Sequence, residues 1–215
     1  MASSDEFPGV VPSRSDGNDT PGKPLTVGSQ MIDKGVNQHV CTFAMYSHDM
    51  TRQIQTHHYV TRLNQDFLQC AVYDSDSTTA RLIGVEYIVS DRIFESLPAE
   101  EQKLWHSHAY EIKTGLWMNP RVPEMIQKSE LQDLAKSYGK FWCTWHVDRG
   151  DVLPLGAPSL MMSPQEVNLG MVKSRAGIEV PEKINTNADY WKNAGKGFAI
   201  DIEQTPEMKL ITPFP

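Results

Sequence analysis

Four runs early in the chain limit what it can become: "VCTFAMY" (40–46), "QIQTHHYVTRL" (53–63), "FLQCAVYD" (67–74) and "RLIGVEYIVS" (81–90). They are rich in β-branched and aromatic residues, and turn-forming "LNQD" and "DSDSTTA" interrupt them. Linkers this short leave no room for a crossover helix, so consecutive runs must pair antiparallel, as a meander.

Further along, the pattern changes. "SDRIFESLPAEEQKLW" (90–105) reads as one or two helical turns, with Pro98 suited to a first helical position and Glu100 and Glu101 favourable near a helix N-terminus. "LWHSHAYEIKTGLW" (104–117) reads as another strand. A helix is expected from Ser129, with Gln132 completing a capping box, Leu131, Leu134, Ala135 and Tyr138 on one face, and Gly139 as its stop. "KFWCTWHVD" (140–148) is strand-like, and "RGDVLPLGAPSLMM" (149–162) a Pro/Gly loop with an apolar lining. "SPQE" at 163–166 opens a helix through Val167, Met171 and Val172, and a last helix falls around "NADYWKNAG".

Strands in a block, with helices inserted and appended, predict a single α+β domain with a mainly antiparallel sheet. Its expected span is 36–198, between a disordered tail at 1–35, rich in Ser, Asp, Gly and Pro in its first 24 residues, and a C-terminal tail at 199–215. A chain of 215 residues suits one core rather than two.

Charge and motif content exclude several function classes. A formal charge of −7, with no cluster of Lys or Arg, argues against nucleic acid and against electrostatic attachment to an anionic membrane. No stretch of ~18 apolar residues is available to span a bilayer. The N-terminal residues have neither the basic start nor the apolar run of a targeting segment, so a cytoplasmic location is expected. Neither a GxSxG elbow nor a phosphate-binding glycine loop occurs. Cys41, Cys70 and Cys143, widely spaced among apolar neighbours, read as reduced core thiols.

The chemical signal lies in the histidines. His106 and His108, two apart on an expected strand, project from one face and can share a divalent ion such as Zn, Fe or Mn. The same alternation sends Glu111 to the opposite face, where, beside Lys113, it reads as solvated. That spacing is one residue short of a cupin motif. Glu86, an acid in the middle of an apolar strand, is the expected third ligand. His58, sharing a strand face with Ile54 and Val60, is the fourth, whereas His57 shares its own with Gln53 and Gln55. The competing reading is a metal-free polar seam, with Glu86 held by Arg62 or Arg81. His48 and Glu111 are acid/base candidates, with His48 beside Asp49 equally explained as a turn.

Four segments, "HVCTFAMYSHDMTRQIQTHHY", "ARLIGVEYIVS", "LWHSHAYEIKTG" and "YGKFWCTWHVDRGDVLPLGAPSLMMSP", occur in an order that resembles the plant oil body-associated proteins. The resemblance covers about residues 36–165. It implies peripheral association with seed oil bodies, that is, lipid droplets, and a part in their formation or stability; it implies no reaction and no site residues. Droplet contact would come through the apolar loop at 152–162, an amphipathic helix at 164–175, or a droplet protein. His146 stands where relatives tend to have glutamine, which makes it a poor shared ligand. The alternative is a metal-dependent enzyme or metal-binding protein using His58, Glu86, His106 and His108 on an unidentified small or lipid-like substrate.

Overall fold

The computed structural model describes residues 38–120, 122, 124–165 and 183–195. Both expected tails, and most of the helix expected from 163, lie outside the described residues.

The four early runs form β1 (Gln38–Tyr46), β2 (Asp49–Asn64), β3 (Phe67–Tyr73) and β4 (Leu82–Ser90), each antiparallel to the next. Local chemistry makes the turns. Asn64 accepts from the Asp66 backbone N–H at 2.9 Å, and Asp74 holds the Arg81 N–H at 2.8 Å across the β3–β4 loop. Ser90 then caps a short helix, α1 (Asp91–Ser96), which leads into α2 (Ala99–Gln102).

The later strands overturn the expected α+β domain. β6 (Ser137–Cys143) pairs with β4 along one edge and with β7 (Ser159–Met162) along the other, and β7 pairs with β1. The order β4-β3-β2-β1-β7-β6 thus returns to β4 as a closed, six-stranded antiparallel barrel, with few helices among the described residues. Closure removes the open edges that a sheet with appended helices would leave. It needs close approach where the ends meet: a Cβ on Gly84 would lie 2.2 Å from the Trp142 carbonyl oxygen across the β4–β6 seam.

Three elements differ from the expectations. β5 is only His106–Ser107, paired to β6, and the chain then enters α3 (Ala109–Thr114), which ends at Gly115 in the left-handed region with φ 79°. The helix expected from Ser129 is α4, spanning Glu124–Leu134 and ending before Tyr138 and Gly139, both of which lie within β6. The expected Pro/Gly loop ends in β7. A last helical turn, α5, spans Tyr190–Ala194.

Alternation decides what faces the barrel interior. Val40, Ala44, Ile54, Val60, Leu68 and Phe141 belong to one buried apolar cluster, joined by Ile112 of α3 and Leu131 and Leu134 of α4. Into this apolar interior four strands and α3 project polar side chains.

Candidate functional site

Glu86 is the centre of the polar group and is only 2% exposed. Its Oε2 lies 2.8 Å from His58 Nδ1, and its Oε1 lies 3.1 Å from His106 Nε2 and 3.5 Å from His108 Nε2. The four residues read from the sequence as metal ligands therefore converge, all of them buried. The arginines of the metal-free reading are engaged elsewhere: Arg62 with Glu130, and Arg81 with Asp74 at 2.6 Å.

Hydroxyl groups stand behind two of the imidazoles. Ser137 donates its only hydroxyl proton to the Leu134 carbonyl at 2.7 Å, so at 2.8 Å it must accept from His108 Nδ1–H. The lone pair of neutral His108 then sits on Nε2, facing Glu86. On the other side of the carboxylate, Thr56 Oγ1 lies 2.8 Å from His58 Nε2 and 3.4 Å from the Thr42 carbonyl oxygen. His58 Nδ1 faces Glu86 from that side. Holding the outer ring nitrogen as a donor is how proteins present histidine to a metal.

An imidazole lone pair directed at a carboxylate repels it unless a cation lies between them. Among the described residues, His108 Nε2 has no hydrogen-bond partner, and His58 Nδ1 and Glu86 Oε2 approach to 2.8 Å. The separations suit ligand atoms of a common ion for Glu86, His106 and His108, whereas His58, at the other carboxylate oxygen, groups with Glu86 and Cys70 instead. With bonds of about 2.0–2.1 Å, donors around a metal stand roughly 3.0–3.4 Å apart.

Gly139 provides the space. A Cβ there would lie 2.4 Å from Glu86 Oε1, 2.6 Å from His108 Nε2 and 2.8 Å from His106 Nε2, so only a residue without a side chain lets the three donors pack against this point of β6.

The electrostatics follow from burial. Desolvation alone would raise the Glu86 pKa, but the surrounding imidazoles, His58 foremost, outweigh it and hold the carboxyl well below its usual range. Burial lowers the His108 pKa and keeps its ring neutral. A buried carboxylate beside a neutral imidazole needs a positive charge from a proton or a metal ion.

Glu111 requires a second correction. It is buried rather than solvated, because the strand ends at Ser107 and α3 turns the acid back toward the cluster, with Oε1 3.8 Å from His108 Nε2. Thr42 donates to its Oε2 at 2.6 Å. Burial pushes the Glu111 carboxyl up to about 8, so it carries its proton at neutral pH. His48 lies exposed at the β1–β2 turn beside Asp49, whose carboxylate bonds Thr51, and does not join the cluster. His146 is bonded to Ser159 at 2.8 Å, also apart from it.

Sequence reasoning missed Gly139, Thr42, Thr56 and Ser137. The cavity lined by His58, Glu86, His106 and Glu111 has a volume of about 10 Å³, room for one atom-sized guest. A groove of about 900 Å³, lined by Phe67, Tyr87 and Trp105, shares no residue with the cluster.

The family described as "Protein of unknown function (DUF1264)" matches residues 32–196. Over the full length of both chains, the sequence is 55% identical to oil body-associated protein 2A of Arabidopsis thaliana and 50% identical to oil body-associated protein 2B of Zea mays. This chain belongs to the oil body-associated protein family. It is also 42% identical to oil body-associated protein 1B of Arabidopsis thaliana, over 72% of this chain and 69% of that one. No solved structure matches it. Family membership supplies no catalytic or ligand residues, so the roles of the Glu86 cluster rest on its geometry. Among the described residues, no helix is long and apolar enough to cross a membrane.

Proposed function

We propose that this chain is a peripheral oil-body protein of the cytoplasmic face, contributing to droplet formation or stability, and that it touches the droplet through the loop between β6 and β7. Its relatives' names support the location. The observation that carries the mode of contact is a set of three large apolar side chains held in water: Val152 is 82% exposed, Leu155 61% and Leu153 57%.

The loop is built to hold them there. Gly150 and Gly156 adopt positive φ on either side, Trp145 Nε1–H donates to the Asp151 carbonyl at 2.8 Å, and Arg149 pairs with Asp151. Transferring three such residues into an apolar layer yields roughly 4–6 kcal/mol, equivalent to a dissociation constant on the order of tens of micromolar to a millimolar. That is a reversible anchor, and the formal charge of −7 adds nothing to it on an anionic surface. Co-flotation of the whole chain with phospholipid-coated oil droplets at high salt tests this reading. Recovery in the floating layer is expected; a chain that stays below without an added protein partner would remove direct lipid contact and leave attachment to a droplet protein.

The convergence on Gly139 favours a second property of the same molecule. Glu86, His106 and His108 hold a divalent metal ion, with His58 against the other carboxylate oxygen; Zn, Fe and Mn are the chemically suited ions, and the ion fixes the barrel core. A cavity for one atom has no room for a substrate, since ligand sites run to about 300 Å³ or more. Elemental analysis after anaerobic purification with all three metals supplied should find about one ion per chain more in the parent than in His106→Ala or His108→Ala. A metal-free chain would leave the charge balance to a proton.

A further inference from the structure

A second group of donor atoms lies on the outside of the barrel wall. In the β1–β2 register Cys41 stands opposite His57, and His39 opposite Tyr59. Val40, Thr42 and His58 face the interior, so His39, Cys41 and His57 project from the outer face. The adjacent residues His57 and His58 therefore serve opposite sides of the wall.

The three donors form a tight triangle. His39 Nε2 is 3.1 Å from His57 Nδ1, Cys41 Sγ is 3.3 Å from His57 Nδ1, and Cys41 Sγ is 3.7 Å from His39 Nε2. Around an ion with metal–nitrogen bonds of about 2.0–2.1 Å and a metal–sulfur bond of about 2.3 Å, a tetrahedral arrangement places nitrogens roughly 3.3–3.4 Å apart and nitrogen and sulfur roughly 3.5–3.6 Å apart. The triangle is within a few tenths of an ångström of that figure, with the sulfur edges longer on average than the nitrogen edge, as a larger ligand atom requires.

The surroundings hold the triangle in place. The His39 ring stacks on Tyr59 with centroids 4.6 Å apart and planes 6° from parallel, and the Tyr59 hydroxyl donates to Asp76. All three ligands sit on regular strands, so little conformational entropy is lost on binding. Met118 exchanges backbone hydrogen bonds with Cys41 at 2.7 and 2.9 Å. Residues opposed in an antiparallel bridge project to the same face, which brings a half-exposed thioether to this side of the sheet. Cys41 and His57 are partly exposed, so an ion can reach the group from solvent.

We propose that His39, Cys41 and His57 form a second metal site, for a thiophilic transition-metal ion of the zinc or copper(I) class, with water or Met118 as the fourth ligand. One thiolate and two imidazoles are the donor set that such ions select. Binding forms one metal–sulfur and two metal–nitrogen bonds and releases the Cys41 thiol proton to solvent. The site shares no residue with the Glu86 cluster and does not depend on it.

Cobalt(II) separates the two sites, because a thiolate ligand gives an ultraviolet sulfur-to-cobalt charge-transfer band that oxygen and nitrogen ligands do not. Titration of the metal-stripped full-length chain should produce this band, and zinc should abolish it. Cys41→Ser and His57→Gln, checked for an unchanged far-ultraviolet circular dichroism spectrum, should lose the band and bind one equivalent fewer. His106→Ala should keep it. Cys70→Ser should also keep it, a control required because Cys70 lies within ligand distance of His58 and Glu86. Absence of the band from the wild-type chain would overturn the proposal, as would its survival in Cys41→Ser with loss in Cys70→Ser.

Discussion

Glu86 and Val152 lie at opposite extremes of exposure, 2% against 82%, and each is the less expected chemical type for its position. The barrel interior contains a carboxylate, three imidazoles and a second acid inside an apolar shell. The β6–β7 loop holds three apolar side chains in water between two glycines with positive φ. In each region a favourable environment has been given up, and in each the unsatisfied chemistry points to a guest: a cation between lone pairs inside, an apolar layer outside. The interior is held by strands and by the hydroxyls behind its imidazoles, so its disruption should be felt as stability. The loop bears little of the fold, so its disruption should be felt only as lost binding.

The largest effect should come from removing the central carboxylate. Glu86→Ala leaves three buried imidazoles without their shared partner and should cost about 3–5 kcal/mol, measured by urea unfolding with metal present. A loss below about 1 kcal/mol would mean that the centre is not a coupled unit.

Next is the pH dependence of the metal-free chain. Glu111 in the folded state is raised from the ordinary 4.5 to about 8, so its proton favours the fold. Its contribution is complete below 4.5 and falls away as pH rises through about 8, a decline of roughly 2–4 kcal/mol. Glu86 runs the other way, because its lowered pKa gives a contribution present at neutral pH and lost on acidification. Glu111→Gln should flatten the decline between pH 4.5 and about 8 and leave the acid side below it; an unchanged slope in that window would contradict the assignment.

Gly139→Ala should cost about 1–3 kcal/mol through overpacking and abolish interior metal binding, since the new methyl occupies the space where three donors converge. Retained metal at full stoichiometry would place the ion elsewhere. The smallest effect on folding is expected for Val152→Ser, Leu153→Ser and Leu155→Ser combined, within about 0.5 kcal/mol of the parent at each position, together with loss of droplet flotation.

The sequence made part of this visible. Strand alternation separated His58 from His57 and identified Glu86 as an acid needing partners, because a period of two depends only on local geometry. Closure of the barrel depends on β6 pairing with both β4 and β7, contacts between segments far apart in sequence that no local pattern encodes. Glu111 was placed on the wrong face because the strand stops at Ser107, and parity has no meaning once a helix begins. Gly139 resembled a helix stop, and only the neighbouring strands reveal it as a space. The outer triangle was concealed by an irregularity: extrapolating the Tyr46–Asp49 pair outward would set Cys41 against Ile54, whereas a register shift at Met45/Tyr46 sets it against His57.

The most direct test uses one inner and one outer variant in the same droplet-flotation experiment at high salt, each first shown to be folded. The Val152/Leu153/Leu155 serine variant should stay in the aqueous layer while Glu86→Gln floats with the wild-type chain. If the serine variant floats and Glu86→Gln does not, the loop is not the lipid contact and the division of roles between the two regions is wrong.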